Sequence, residues 1–242
     1  MRSYGRPTIS LGPPLTPAVK QLIIATSAVF LLTYIPAQLF GWTFPIEWLA
    51  LSPYGVTHKL YLWQLVTYLF LHAGWLHIIF NLFAVWMFGS DLERLWGSKK
   101  FLFYYFLTGA GAGAMDVLFR PSSTLPTVGC SGAVFGILLA YGMLFPNRVV
   151  LFALIIPMKA KWFVALIGLI TFVNSFSGSA SGVSHIAHLG GMLIGFIYLR
   201  GGGLPNRLQL HYHEWRRARL RRKFEVYMRD QDRKDKAGRW IN

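Results

Sequence analysis

Apolar residues in this chain run in blocks too long and too evenly hydrophobic for one-sided amphipathic helices or alternating strands. Six blocks, roughly 19–39, 75–91, 100–119, 131–145, 162–176 and 185–199, read as membrane-spanning helices. Several fall short of the roughly 20 residues that a full crossing needs. That is tolerable where neighbouring helices shield their ends from lipid. Hydropathy alone merges 60–89 into one run, but His72, Ala73 and Gly74 interrupt it. The stretch 41–74 is therefore expected to be a long outer loop between helices 1 and 2. It carries Trp42, Trp48, Tyr54, Tyr61, Trp63 and Tyr68, and such rings favour the membrane interface, so short helices lying in the outer leaflet are expected there. The implied fold class is an all-α polytopic membrane protein, a six-transmembrane-helix bundle with an interfacial outer loop.

Composition agrees and adds an orientation. The 242 residues are 54% hydrophobic and only 14% charged, against about 25% charged in soluble domains. Before residue 200 the acids are Glu47, Asp91, Glu93 and Asp116 alone, while 13 of the 24 Lys and Arg lie from Arg200 onward. A net charge of +15 would suit nucleic acid. Here the bases flank apolar segments, so positive-inside topology accounts for most of them and no nucleic-acid partner is expected. Arg2, Arg6, Lys20, Arg94, Lys99, Lys100, Arg148, Lys159, Lys161 and the tail fall on one side, Lys59 and Arg120 on the other. Both termini should be cytoplasmic. The chain divides into a cytoplasmic segment 1–17, a membrane domain 18–200 and a basic cytoplasmic tail 201–242. In the tail, Trp215, Leu220, Phe224 and Met228 punctuate a basic run; an interfacial helix on anionic lipid and a solvated tail both remain open. The single cysteine, Cys130, excludes an intrachain disulfide. The run from Val19 lacks a clear signal-peptidase site, and a bacterial inner membrane is the expected location.

Polar side chains at membrane depth are costly and point to function. His77 and Asn81 are four residues apart and share a helix face. Gly129-Cys130-Ser131-Gly132 opens the fourth block after Pro126. In the sixth, His188, Gly191 and Gly195 line one face, below His185. Gly132 with Gly136, and Gly191 with Gly195, are small-xxx-small pairs that let helix backbones approach, which would bring Ser131 near His188. Counted from the cytoplasmic ends at 1.5 Å per residue, Ser131, His188, His77 and Asn81 sit roughly 21, 17, 21 and 15 Å up, at similar depth in a core of about 30 Å.

These motifs resemble those of the rhomboid family of intramembrane serine proteases. Gly129-x-Ser131-Gly132 is similar to its nucleophile motif, His77-x-x-x-Asn81 to its second-helix motif, and His188-x-x-Gly191-x-x-x-Gly195 to its final-helix motif. Glu93-Arg-Leu-Trp-Gly97-Ser98 and the outer-loop Trp63 resemble the family too. The resemblance covers about 18–200 and implies a rhomboid-like bundle. Two positions depart from it. Phe135 stands where the family often has Tyr packed on the catalytic imidazole, and Gln64 follows the loop Trp where Arg is common.

The chemistry read from these residues is peptide hydrolysis by a Ser-His dyad. Ser131 attacks, and His188 takes its proton and returns it to the leaving amine. No acid lies at that depth, so packing must orient the imidazole, with Phe135 the best candidate. Asn81, His77 and the Ser131 N–H would hold the oxyanion. Gly129, Gly132 and Gly191 support the dyad. His72 and His185 are read as structural and Cys130 as a small packing residue. No H-E-x-x-H or carboxylate partner supports a metal, and no cofactor is expected. The polar connection 174–184 is expected to cap the site and open for substrate. By resemblance, substrates are membrane proteins cut in or near a transmembrane helix, with the lipid bilayer as the other partner. The rival readings are a non-catalytic rhomboid-like chaperone and a transporter or channel. Retention of Ser131 with His188 argues against the first, and the absence of intramembrane carboxylates against proton coupling in the second.

Overall fold

The computed structural model describes residues 13–152, 155–176 and 184–203. Most of the N-terminal segment, most of the 174–184 connection and the tail from residue 204 lie outside the described residues. The chain forms two units, Met1–Ile197 and Tyr198–Asn242, and the helical bundle belongs to the first.

Helices occupy all six predicted blocks. They are α1 (Pro17–Phe40), a second helix running from α5 (Trp75–Ala84) through a π-turn (Val85–Gly89) into α6 (Ser90–Trp96), α7 (Ser98–Phe119), α8 (Ser131–Leu144), α9 (Ala160–Ser175) and α10 (His185–Tyr198). The loop 41–74 contains α2 (Phe44–Leu49), α3 (Pro53–Lys59), α4 (Gln64–Thr67) and a 3₁₀ turn at Tyr68–Phe70. Among the described residues, three helices are long and apolar enough to cross a membrane: Pro17–Phe40, Trp75–Trp96 and Ser98–Phe119. Their outward faces are hydrocarbon. On α1, Ile24, Leu31, Leu32 and Leu39 are exposed while Thr26 and Thr33 are buried, the reverse of a water-soluble helix.

The central element is α8. Its 14 residues rise only about 21 Å, but most are buried by the surrounding helices, so its ends need not meet lipid. The two small-xxx-small pairs do not simply face each other. A Cβ on Gly191 would collide with the Gly132 carbonyl, whereas Gly136 lies against Thr108 and Gly195 against the Tyr104 hydroxyl, both on α7. The α8–α10 contact is thus one close crossing, and α7 fills the rest. Tyr104 donates to the Gly136 carbonyl at 2.8 Å, a bond that fixes α7 against the crossing.

Two features depart from the sequence reading. The bundle is not wholly helical, because Val149–Phe152 (β1) pairs antiparallel with Ile156–Lys159 (β2), Val149 opposite Lys159 and Phe152 opposite Ile156. The β-branched Val149-Val150 start and the two-residue alternation of burial explain this local choice. The outer loop is also anchored despite Gln64. That side chain is buried; its Oε1 accepts from Ser52 N–H at 3.0 Å and its Nε2 donates to the Trp48 carbonyl at 3.2 Å. Trp48, Tyr61 and Trp63 pack with centroids 4.7–5.2 Å apart.

Glu93 closes the far end of the bundle. Its carboxylate accepts from the N–H groups of Ala18 and Val19 at 2.9 Å each, from the Ser98 hydroxyl at 2.6 Å, and from the Thr16 hydroxyl. Orphan N–H groups at a helix start need acceptors and favour negative charge. Thr16, the N-cap residue, makes no side-chain cap bond of its own, so a carboxylate from another helix takes that place. Glu93→Ala should therefore lower stability by roughly 1–3 kcal/mol by leaving buried donors unpaired. Thermal unfolding in detergent checks this, with Glu93→Gln, which keeps one acceptor oxygen, falling between. Unchanged melting of Glu93→Ala would remove Glu93 from this role.

Candidate active site

Ser131 is the first residue of α8 and Cys130 is its N-cap. His188 stands one turn into α10. The Gly132–Gly191 crossing brings the two helices together just below these side chains, and His188 Nε2 lies 2.7 Å from Ser131 Oγ. On its face, the imidazole stacks on Phe135 with centroids 4.3 Å apart and planes 6° from parallel. A ring so clamped has little freedom about its own axis. Among the described residues no carboxylate bonds to His188.

His77 and Asn81, on α5, reach the same place from the other side. Gly129 has φ +111°, a conformation that side chains rarely adopt, and a Cβ there would lie 2.7 Å from His77 Cε1 and Nε2 and 3.7 Å from Asn81 Nδ2. Glycine at 129 is required twice, by backbone and by space. Its N–H donates to the Tyr68 carbonyl at 3.0 Å, which ties the segment before Ser131 to the outer loop. Asn81 is buried, and its Nδ2 has no partner. Ala73 N–H donates to His77 Nδ1 at 3.4 Å. That bond assigns the His77 proton to Nε2, the atom facing Gly129. Two N–H donors, one of them unsatisfied, therefore meet beside the residue two before Ser131.

The remaining polar residues surround this set. His72 is buried, edge-on to His77 at 4.9 Å, with Nε2 3.7 Å from Cys130 Sγ. His185 lies edge-on to His188 at 6.1 Å. Cys130 is fully buried. Among the described residues no group of three or more His, Cys, Asp or Glu side chains converges as a metal site.

The sequence reading counted no carboxylate within the membrane and gave Asp116 no role; the structure corrects both, because Asp116 lies inside the apolar helix α7. It is fully buried near the end of α7. Its Oδ1 accepts from Arg120 Nη2 at 2.6 Å and from the Ser184 hydroxyl at 2.5 Å, and its Oδ2 from the Thr127 hydroxyl at 2.8 Å. Thr127 lies four residues before Ser131. Ser184 lies four residues before His188, bonds its N–H at 3.2 Å through its own carbonyl, and caps α10 by accepting from Ala187 N–H at 3.1 Å. One carboxylate thus holds the approaches to both Ser131 and His188. Ser184→Ala should remove a helix cap for about 1 kcal/mol. Asp116→Ala should do more, roughly 3 kcal/mol or above, because it strands the half-buried Arg120. Melting curves of the two variants test the order; equal, small losses would mean the three bonds contribute little.

Comparison with known proteins bears on the family. The rhomboid domain model matches residues 59–202. Rhomboid protease GluP of Bacillus subtilis (strain 168) is 34% identical over 150 residues, 59% of this chain and 26% of that protein. Rhomboid protein 1, mitochondrial, of Saccharomyces cerevisiae is 30% identical over 187 residues, 70% of this chain and 51% of that one. RHOMBOID-like protein 2 of Arabidopsis thaliana is 32% identical over 174 residues, 71% and 52% respectively. The chain thus spans from about a quarter to about half the length of these relatives.

Proposed function

The chain belongs to the rhomboid family, and we propose that it is an intramembrane serine endopeptidase that cuts the transmembrane helices of membrane proteins with a Ser131–His188 dyad. Membership and the long apolar helices make it a multi-pass membrane protein. In this reading α8, α9 and α10 add three shorter crossings to the three long ones. Both termini are cytoplasmic, the loop 41–74 lies in the outer interface, and the membrane is a bacterial inner membrane.

The observation that carries the proposal is the 2.7 Å approach of His188 Nε2 to Ser131 Oγ, with the imidazole stacked on Phe135. A neutral imidazole accepting the Ser131 proton lets Oγ attack the scissile carbonyl; the resulting imidazolium returns the proton to the leaving amine. The Phe135 ring does the orienting that a third carboxylate does in other serine hydrolases. Negative charge develops on the carbonyl oxygen as the tetrahedral intermediate forms. Asn81 Nδ2, His77 Nε2 and the Ser131 N–H, which has no intrahelical partner at the first position of α8, are the donors available to it. A substrate helix must unwind locally, because its own hydrogen bonds otherwise cover the carbonyl.

Ser131→Ala and His188→Ala should each abolish cleavage of a model transmembrane substrate and labelling by a serine-hydrolase probe, with melting unchanged. Cys130→Ala should keep activity. A dead Cys130→Ala beside an active Ser131→Ala would overturn the serine mechanism, and a folded wild type that never labels would favour a non-catalytic helix-binding role.

Asn81→Ala tests the oxyanion assignment. A donor used only in the transition state lowers kcat more than it weakens substrate binding, here by about 10²–10³-fold. Full turnover in a destabilised Asn81→Ala protein would make Asn81 a structural residue and leave the dyad standing.

A further inference from the structure

The β1–β2 hairpin has no part in the proposed chemistry, yet it carries an exposed apolar surface outside the helices. Val149 is 67% exposed, Leu151 54%, Ile155 79% and Ile156 53%. The register puts Val149 and Leu151 on one face with Lys159 and Pro157, while Ile156 shares the other face with Phe152 and Ile155 lies at the turn. On that other face Phe152 packs on Phe163 of α9 with centroids 6.3 Å apart, while Ile156 stays exposed beside the turn. A two-stranded hairpin is marginal in water on its own, and an uncovered edge of this composition is an aggregation hazard.

Position and charge say what covers it. β2 ends at Lys159 and α9 begins at Ala160, so no spacer lifts the hairpin away from the start of an apolar helix. Its base is pinned there. Ala160 N–H donates to the Arg148 carbonyl at 2.8 Å, Lys161 N–H to the Pro146 carbonyl at 3.2 Å, and the Arg148 guanidinium pairs with Asp91. The exposed Trp162 comes next, with Lys161 Nζ 5.1 Å from its ring centroid. Aromatic rings of this kind favour the boundary between hydrocarbon and headgroups. Lys159 and Lys161 are exposed, and among the described residues neither has a carboxylate partner. Apolar residues that need cover, followed at the membrane boundary by two lysines without a carboxylate partner among the described residues, match an anionic phospholipid surface.

We propose that the hairpin dips its exposed Val149, Leu151, Ile155 and Ile156 side chains into the lipid interface, with Lys159 and Lys161 on anionic headgroups. It fastens the α8–α9 connection to the leaflet at the end of α8 opposite Ser131. The inference is independent of proteolysis and of which side of the membrane that leaflet occupies.

The test uses full-length Cys130→Ala/Ile155→Cys protein carrying an environment-sensitive dye, in nanodiscs with or without anionic phospholipid. The dye should emit as from an apolar medium, resist aqueous iodide, and be quenched by lipids with a nitroxide near the headgroup. Shielding should increase with anionic lipid. Lys159→Gln and Lys161→Gln should each lower the ratio of shielded to exposed dye by about fivefold in anionic discs. Iodide quenching equal to that of the free cysteine adduct would overturn the proposal. So would shielding without nitroxide quenching, which would mean that protein, such as a second copy, covers the face. Lipid contact indifferent to anionic lipid and to both lysines would overturn the headgroup assignment.

Discussion

The candidate site depends on one contact between backbones, the approach of Gly191 to the Gly132 carbonyl. Any side chain at 191 would fall on that oxygen, so even a methyl group must push α10 away from α8. Ser131 and His188 sit just above the crossing, one residue before Gly132 and three before Gly191. Their 2.7 Å separation is therefore set by how closely two helix axes can pass, more than by side-chain reach. In hydrocarbon no hydrophobic force presses helices together, and van der Waals contact between small residues must do it. That places the burden on shape. Thr108 and Tyr104 of α7, which fill the space beside Gly136 and Gly195, are as much part of the crossing as the glycines.

Shape alone does not fix the helices along their axes, and buried carboxylates do so at both ends. Glu93 gathers the start of α1 and of α7 at one end, while Asp116 gathers Arg120, Thr127 and Ser184 at the other. Each takes donors from segments far apart in sequence, and each replaces water that the bilayer cannot supply. A polar residue at depth is read first as catalytic. Here the two buried acids work as ties, and the groups in the candidate site are all nitrogen or hydroxyl.

The helices were legible because long apolar blocks have no other use, and block edges agree with helix ends within a few residues. The meeting of Ser131 with His188 was legible through small-residue spacing, but the partners of Gly136 and Gly195 were not. Spacing shows that a face is smooth without saying what lies on it. The hairpin was missed because its two four-residue runs are too short to show a period, so 146–161 was left as a connection between the fourth and fifth blocks. Gln64 was weighed as the loss of a family arginine, when an amide can both donate and accept and so bind Trp48 and Ser52 together. Asp116 was counted but left without a role, because its partners Thr127 and Ser184 are distant in sequence and ordinary in type.

The unpaired Asn81 amide links the architecture to the chemistry proposed for it. A buried donor left without an acceptor costs stability, on the order of 1–3 kcal/mol, and the surroundings do nothing to relieve it. A side chain at 129 would collide with the His77 ring, and the backbone conformation there suits glycine. His77 Nε2, left to donate by the Ala73 N–H on the other ring nitrogen, faces the same glycine. Donors fixed in advance need no reorganisation when charge appears beside them. In a membrane this matters more than in water, since few mobile dipoles are available to respond. An unsatisfied ground state and a stabilised transition state are then two consequences of one geometry.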